Sequence, residues 1–214
     1  MMNRIRKGNS DLNLLIVLTL FSAISGLILA LVNNVTKDRI AMVAVIKQKK
    51  ALMEVMPAFD TAEAETILAD PMDPFELFVC KKDQKPVGIA VMASSRLLSA
   101  EQLKKLAIPE NIRQDQSYAD PIKLLVGFTI DGKIKGVSIL DCKETPGLGT
   151  NINTPAFKSN YVDAGIDLKK WSVKKDGGDV EQLTAATISS RATTAIVAKS
   201  IAIYKNKVKS LNLK

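Results

Sequence analysis

The sequence contains no histidine, and that single absence removes several chemistries at once. Ser-His-Asp and Cys-His catalytic units need an imidazole to move a proton, and His-ligated haem and His-containing zinc sites need one as a ligand. Cysteine is scarce as well: Cys80 and Cys142 are the only two, with no C-x-x-C spacing. Two thiolates cannot complete a four-ligand zinc or iron–sulfur site, so this chain alone holds neither. Sequence does not say whether the two approach closely enough to pair, and two small hydrophobic residues is the simpler reading. Aromatic residues make up only 5%, too few for the stacking platforms of single-stranded nucleic-acid binders. A redox role for this chain therefore requires an organic cofactor.

The formal net charge is +8, but Lys and Arg are spread along the chain and mixed with Asp and Glu. This reads as a solvated, mildly basic surface with no nucleic-acid partner. The 214 residues, 47% of them hydrophobic, are enough for one ordinary domain plus an accessory segment.

What is present begins with a long hydrophobic run. No charged residue occurs in 12–36, and 14–32 is strongly apolar throughout. A helix rising about 1.5 Å per residue crosses a hydrocarbon core of about 30 Å in roughly 20 residues. The run exceeds the usual signal-peptide core and no A-x-A-like site follows it, which predicts an uncleaved, single-pass anchor. Arg4, Arg6 and Lys7 ahead of the span favour a cytoplasmic N-terminus, while Lys37, Arg39, Lys47, Lys49 and Lys50 follow it. Long C-terminal domains translocate largely regardless of charge, so the expectation is N-terminus in, domain out. With no ionisable residue inside it, the span cannot conduct ions alone. The expected organisation is 1–11 cytoplasmic, 12–36 in the membrane and 37–214 as one folded domain.

Within that domain, 40–56 reads as a helical stalk stopped by Pro57. Segments 75–80 and 87–93 flank the polar turn 81–85 as a hairpin. Ser99 with Gln102 forms a capping box for a short helix ending before Pro109. Segments 124–130 and 133–140 flank Asp131-Gly132, the pattern of a two-residue hairpin turn. In 192–211, Val197, Ile201, Tyr204, Val208 and Leu211 share an apolar helical face, with Lys199, Asn206 and Lys209 away from it. The expected fold class is α+β: antiparallel hairpins with packed helices.

Two stretches exceed what a core or a surface needs. In 143–150, Glu144 and Thr145 are followed by Pro146, Gly147, Leu148 and Gly149, a rigid, tightly turned loop whose backbone can approach a ligand. Such a loop is more often a plain connection. In 183–190, Thr184, Ala185, Ala186, Thr187, Ile188 and Ser189 open the last helix. A helix N-terminus attracts phosphate through unsatisfied N–H groups and the helix dipole, and small alanines permit close approach. On residues alone, ordinary N-capping by Ser or Thr explains the same pattern.

At these two stretches the sequence resembles the G subunit of the Rnf-type electron transport complex and, more distantly, the C subunit of the sodium-translocating NADH:quinone reductase. The family loop H-K-E-T-P-G-L-G corresponds to Cys142-Lys143-Glu144-Thr145-Pro146-Gly147-Leu148-Gly149. Its attachment motif D-x-x-[S/T]-G-A-T falls on Glu181, Thr184, Ala185, Ala186 and Thr187. Ser117-Tyr118, the run 121–127 and the run 171–178 match as well, in the same order. Three positions depart from the pattern: Cys142 stands for His, Glu181 for Asp and Ala185 for Gly.

The resemblance implies one span followed by an exported FMN-binding domain over 37–214. It implies FMN joined by a phosphodiester to Thr187, with Glu144, Thr145, Leu148, Gly149, Thr184, Ala185, Ala186, Ile188 and Ser189 around it. It further implies an electron-carrying member of an ion-translocating ferredoxin:NAD oxidoreductase in the bacterial inner membrane, its flavin domain on the periplasmic side. Substrates would then belong to other membrane and iron–sulfur subunits, and a flavin transferase would be needed for maturation. The alternatives are the C subunit of the quinone reductase, or a structural member of such a complex without flavin.

Overall fold

The computed structural model describes residues 4–70 and 74–211, with side chains from residue 11 onward. Of Arg4, Arg6 and Lys7, only the helical backbone is therefore described. The chain divides into two compact units, Met1–Lys47 and Gln48–Lys214. Helix α1 (Arg4–Val55) occupies the first and ends in the second. Its most apolar stretch has a mean hydropathy of 2.7 and none of it is buried within the protein. A helix hydrophobic all round, and long enough to cross a bilayer, is at home in lipid.

The second unit is built on a five-stranded antiparallel meander: β1 (Thr61–Leu68), β2 (Phe75–Lys82), β3 (Lys85–Ser94), β4 (Lys123–Thr129) and β5 (Ile134–Asp141), adjacent in chain order. The strands carry apolar residues at both parities because both faces are covered. Phe75, Leu77 and Val79 of β2, with Leu124, Val126 and Phe128 of β4, join the larger core. That core is completed by Ile196, Val197, Ile203 and Tyr204 of α4 (Thr187–Ser210) and by Leu103 of α2 (Ala100–Lys105). Phe78, Cys80, Ala90 and Leu125 belong to a second cluster with Ala51, Leu52, Val55 and Met56 from the end of α1. The last turns of the expected stalk are thus part of the domain core.

Two cross-strand glycines seat that helix end. Gly127 and Gly136 are directly paired between β4 and β5. A Cβ on Gly127 would overlap the Val55 carbonyl oxygen, and one on Gly136 would lie 3.0 Å from Val55 Cα.

Both hairpins differ from their expected turns. The first, read as a five-residue polar turn, pairs Lys82 with Lys85 and turns on Asp83-Gln84 alone, both left-handed at φ 49° and 65°. The second is not the expected two-residue turn. Gly132 is left-handed at φ 81°, while Asp131 is not among the residues with positive φ. Thr129 N–H donates to Lys133 O at 2.9 Å and Gly132 N–H to Thr129 O at 3.2 Å, so the loop holds three residues. That is a type I turn closed by a left-handed glycine, the usual three-residue hairpin. The Ser99–Gln102 capping box forms as expected at the start of α2.

α4 also differs from its expected stripe. Lys199, placed off the apolar face, is fully buried, its Nζ donating to Arg96 O at 2.7 Å. Leu211, placed on that face, is 41% exposed. The helix is covered by the sheet on one side and by the 94–96 segment near Lys199 on another, so its buried arc is wider than one stripe.

The two cysteines form no disulfide. Cys80 is in the α1-side cluster, while half-buried Cys142 packs against the larger core. Burial pushes the Cys80 thiol up to about 11, and burial likewise raises Tyr161 and Tyr204 above the ordinary phenol value. Groups that hold their protons more tightly when folded contribute stability that is present below the unfolded pKa and lost as pH rises through the folded one. Thermal stability is therefore expected to stay level to about pH 8 and to fall between about pH 9 and 11, where free thiols and phenols ordinarily titrate. A pH series of melting curves checks this; stability that rises over that interval would contradict it.

Candidate functional site

The loop after β5 is shaped by its own residues. Leu148 N–H donates to Thr145 O at 3.2 Å, closing a turn with Pro146 and left-handed Gly147 (φ 75°) at its centre. Proline fixes the first central φ and glycine supplies the second, the chemistry of a type II turn. Thr150 Oγ1 accepts from Gly147 N–H at 3.0 Å, and Asn151 Nδ2 donates to Gly147 O at 2.7 Å. The loop continues into a 3-10 turn, Gly149–Asn153.

The segment before α4 is set by different bonds. Asn160 clasps Glu181, its Oδ1 accepting from Glu181 N–H at 3.0 Å and its Nδ2 donating to Glu181 O at 3.4 Å. A turn then closes through Ala186 N–H to Leu183 O at 3.3 Å, with Ala185 left-handed at φ 61°. Ser190 Oγ accepts from Leu183 N–H and donates to Ala186 O, tying turn to helix. Alanine in a left-handed conformation costs about 1 kcal/mol relative to glycine. Ala185→Gly is expected to raise the melting temperature by about 2 °C, less than the full strain because glycine is also freer when unfolded. An unchanged or lowered melting temperature would contradict this.

Ser/Thr capping does not occur here. The N-cap of α4 is Ala186, which makes no side-chain cap bond. Ser189 Oγ instead donates to Glu144 Oε2 at 2.6 Å. Thr187 is the first residue of the helix, and its hydroxyl has no hydrogen-bond partner among the described residues. The opening N–H groups of α4 therefore keep their positive end for an external acceptor.

Glu144 joins the two stretches. Only 4% exposed, it accepts from Tyr118 N–H at 2.9 Å and Ala119 N–H at 3.2 Å through Oε1, and from Ser189 through Oε2. Gly149 makes the approach possible: a Cβ there would lie 2.6 Å from Glu144 Cβ and 2.7 Å from Ser189 Oγ.

Together these residues line one open cavity of about 480 Å³, formed by Tyr118, Glu144, Thr145, Leu148, Gly149 and the run 185–189. Nine of the ten residues expected at the site are among them: Glu144, Thr145, Leu148, Gly149, Ala185, Ala186, Thr187, Ile188 and Ser189. Thr184 is exposed and does not line it. Glu181 also points elsewhere, paired with Lys174. Tyr118, 72% exposed at the rim, is the lining residue that sequence reasoning did not assign, although it lies in the Ser117-Tyr118 match. With half-exposed Leu148 and Ile188 it gives the cavity an apolar rim beside the polar helix end.

A family model for an FMN-binding domain matches 117–202, and one for the RnfG N-terminal region matches 16–55. The ion-translocating oxidoreductase complex G subunit of Yersinia pestis is 33% identical over 203 residues, covering 88% of this chain and 87% of that protein. The chain belongs to the RnfG family. The corresponding Escherichia coli K12 protein is 31% identical over 198 residues, covering 86% of each chain. The crystal structure of Shewanella oneidensis NqrC aligns at a TM-score of 0.41 and 16% identity, over 75% of this chain and 74% of that one.

FMN is the cofactor of the RnfG domain, and the cavity suits it. A flavin mononucleotide pairs a dianionic phosphate with a flat, largely apolar ring, and the site pairs an uncapped helix N-terminus with Leu148, Ile188 and Tyr118. The apolar helix anchors this RnfG protein to the membrane.

Proposed function

We propose that this RnfG protein carries electrons through an FMN joined by a phosphodiester to Thr187 Oγ1. The observation that carries this reading is the partnerless Thr187 hydroxyl, inside the cavity, on the first residue of a helix with no side-chain cap. A phosphate held there meets the N–H groups of the first turn and the positive helix end. Leu148, Ile188 and Tyr118 would offer apolar surface to the ring, and Glu144 holds the loop and the helix together.

Forming that bond takes an activated flavin donor from outside the chain. In a phosphodiester, Thr187 Oγ1 gives up its proton and joins phosphorus while a leaving group departs. Glu144 accepts hydrogen bonds from Tyr118 N–H, Ala119 N–H and Ser189 Oγ, which is a positioning role. A separate flavin transferase, using a flavin already held in a phosphoanhydride, supplies the activated donor. FMN, when bound, supplies the redox chemistry, and the protein supplies placement and tuning.

In this reading 12–36 is the anchor, 37–214 the flavin domain on the outer side of the bacterial inner membrane, and 1–11 cytoplasmic. The protein serves a ferredoxin:NAD oxidoreductase as a carrier, not as an enzyme by itself, with iron–sulfur and membrane subunits as its partners. Co-expression with a flavin transferase, followed by denaturing electrophoresis, tests it. The parent and Thr187→Ser are expected to give a fluorescent band and Thr187→Ala none. A dark parent band would contradict the carrier reading, and a fluorescent Thr187→Ala band would contradict the residue.

A further inference from the structure

A second cavity, of about 660 Å³, lies along the C-terminal half of α4, between that helix and the segments 107–113 and 166–172. Its floor is apolar, with Ile166 and Ile201 buried and Ile112, Trp171, Ala198 and Ala202 half-buried. Its rim is cationic: Arg113, Lys169, Lys170, Lys205 and Lys209, against Asp167 as the one lining carboxylate. Asp167 is taken by Lys205 at 2.5 Å, and Arg113 by Asp115 and Asp176 at 2.7 Å each. Lys169 Nζ donates to a neutral acceptor, Asn160 O, at 2.7 Å. Among the described residues, neither Lys170 nor Lys209 has an ion-pair partner. Lys169, Lys170 and Lys209 thus border the apolar groove with no ion-pair partner among the described residues, while the Asp179 carboxylate accepts from the Lys170 backbone N–H at 2.6 Å.

We infer that this groove docks a companion protein of the complex through an amphipathic segment carrying Asp or Glu beside an apolar face. The inference rests on the reading of this chain as part of a multisubunit complex. Charge complementarity selects the acidic side chains, and the floor of Ile112, Ile166, Trp171 and Ile201 selects apolar ones. A bilayer surface is flat and leaves a recessed floor empty. The α4 residues of the groove, from Ala198 to Lys209, span about 17 Å at the α-helical rise, room for three turns of a docked helix. Ile201 lies about 21 Å along α4 from Thr187, so a partner seated here leaves the flavin cavity open.

The test uses the full chain within its complex. Lys170→Glu/Lys209→Glu is compared with Lys82→Glu/Lys85→Glu, the same charge change at the tip of the β2–β3 hairpin. After detergent extraction, the groove pair is expected to lower the amount of this protein co-purifying with its companions about tenfold, by like-charge repulsion and loss of steering. The hairpin pair is expected to match the parent, and Lys170→Gln/Lys209→Gln to fall between. Flavin fluorescence of each band, read on the same gel, is expected to be unchanged, which separates failure of docking from failure of flavin attachment. Retention equal to the parent, or an equal loss in the hairpin pair, would overturn the inference. So would unchanged retention with lost binding to phosphatidylglycerol vesicles, which would assign the groove to anionic lipid.

Discussion

Replacing Glu144 with alanine is expected to destabilise the domain by about 3 kcal/mol and to abolish stable flavin loading. The carboxylate is buried and accepts three hydrogen bonds, from Tyr118 N–H, Ala119 N–H and Ser189 Oγ. Its removal leaves three donors without an acceptor, each costing about 1–3 kcal/mol if it stays dry, and water entering the space recovers part of that. The bonds also join three separate pieces of chain, the segment at 118, the loop at 144 and the first turn of α4. Without them the cavity loses its fixed width. Glu144→Gln keeps an amide oxygen for the two N–H groups and a comparable volume, so about half the loss is expected. Melting curves and flavin per chain measure both effects. An Ala variant as stable as the parent, or a Gln variant as damaged as Ala, would show that the carboxylate is not what holds the site.

The second large effect is expected on the opposite face of the sheet. Gly127→Ala places a methyl into the Val55 carbonyl oxygen, and backbone on both sides leaves no flexible side chain to yield. Lifting the end of α1 opens the contact of Leu52, Val55 and Met56 with Phe78, Ala90 and Leu125. Overpacking of this kind costs about 3 kcal/mol, which in a domain of this size lowers the melting temperature by roughly 10 °C. Gly147→Ala differs in kind, since nothing lies within 4 Å of its Cβ and its cost is confined to the left-handed φ of 75°. Equal melting temperatures for Gly127→Ala and the parent would contradict the seating of α1 on this glycine pair.

The two stretches of the candidate site stood out through their resemblance to the Rnf family. On residues alone, Pro146-Gly147 names only a turn, and the small residues ahead of Thr187 suit an ordinary helix cap. The meeting of those stretches was not written in either: it depends on Glu144 reaching Ser189 and on Gly149 giving room. Tyr118 was harder, since its place follows from a backbone bond to a residue distant in sequence. Asn160, which clasps Glu181, gave no signal beyond an ordinary loop asparagine.

In the fold, apolar runs flanking turn residues, together with capping, exposed four strands and α2, while β1 went unread. All but its last two residues are exposed, so Thr61–Leu68 carries almost no hydrophobic alternation. Asp131-Gly132 misled because the dipeptide suits both two- and three-residue loops; the Thr129–Lys133 pairing decides which. Lys199 misled because a lysine whose ammonium reaches backbone carbonyls can be buried where charge alone predicts water.

Peptide mass analysis reads the flavin bond at Thr187 itself. Trypsin releases 176–191, which contains Thr184, Thr187, Ser189 and Ser190. From chain produced with a flavin transferase, this peptide is expected to carry the mass of one FMN less one water, and fragmentation to place it on Thr187. An unmodified peptide from chain that holds FMN, or a flavin placed on Thr184 or Ser189, would contradict the account.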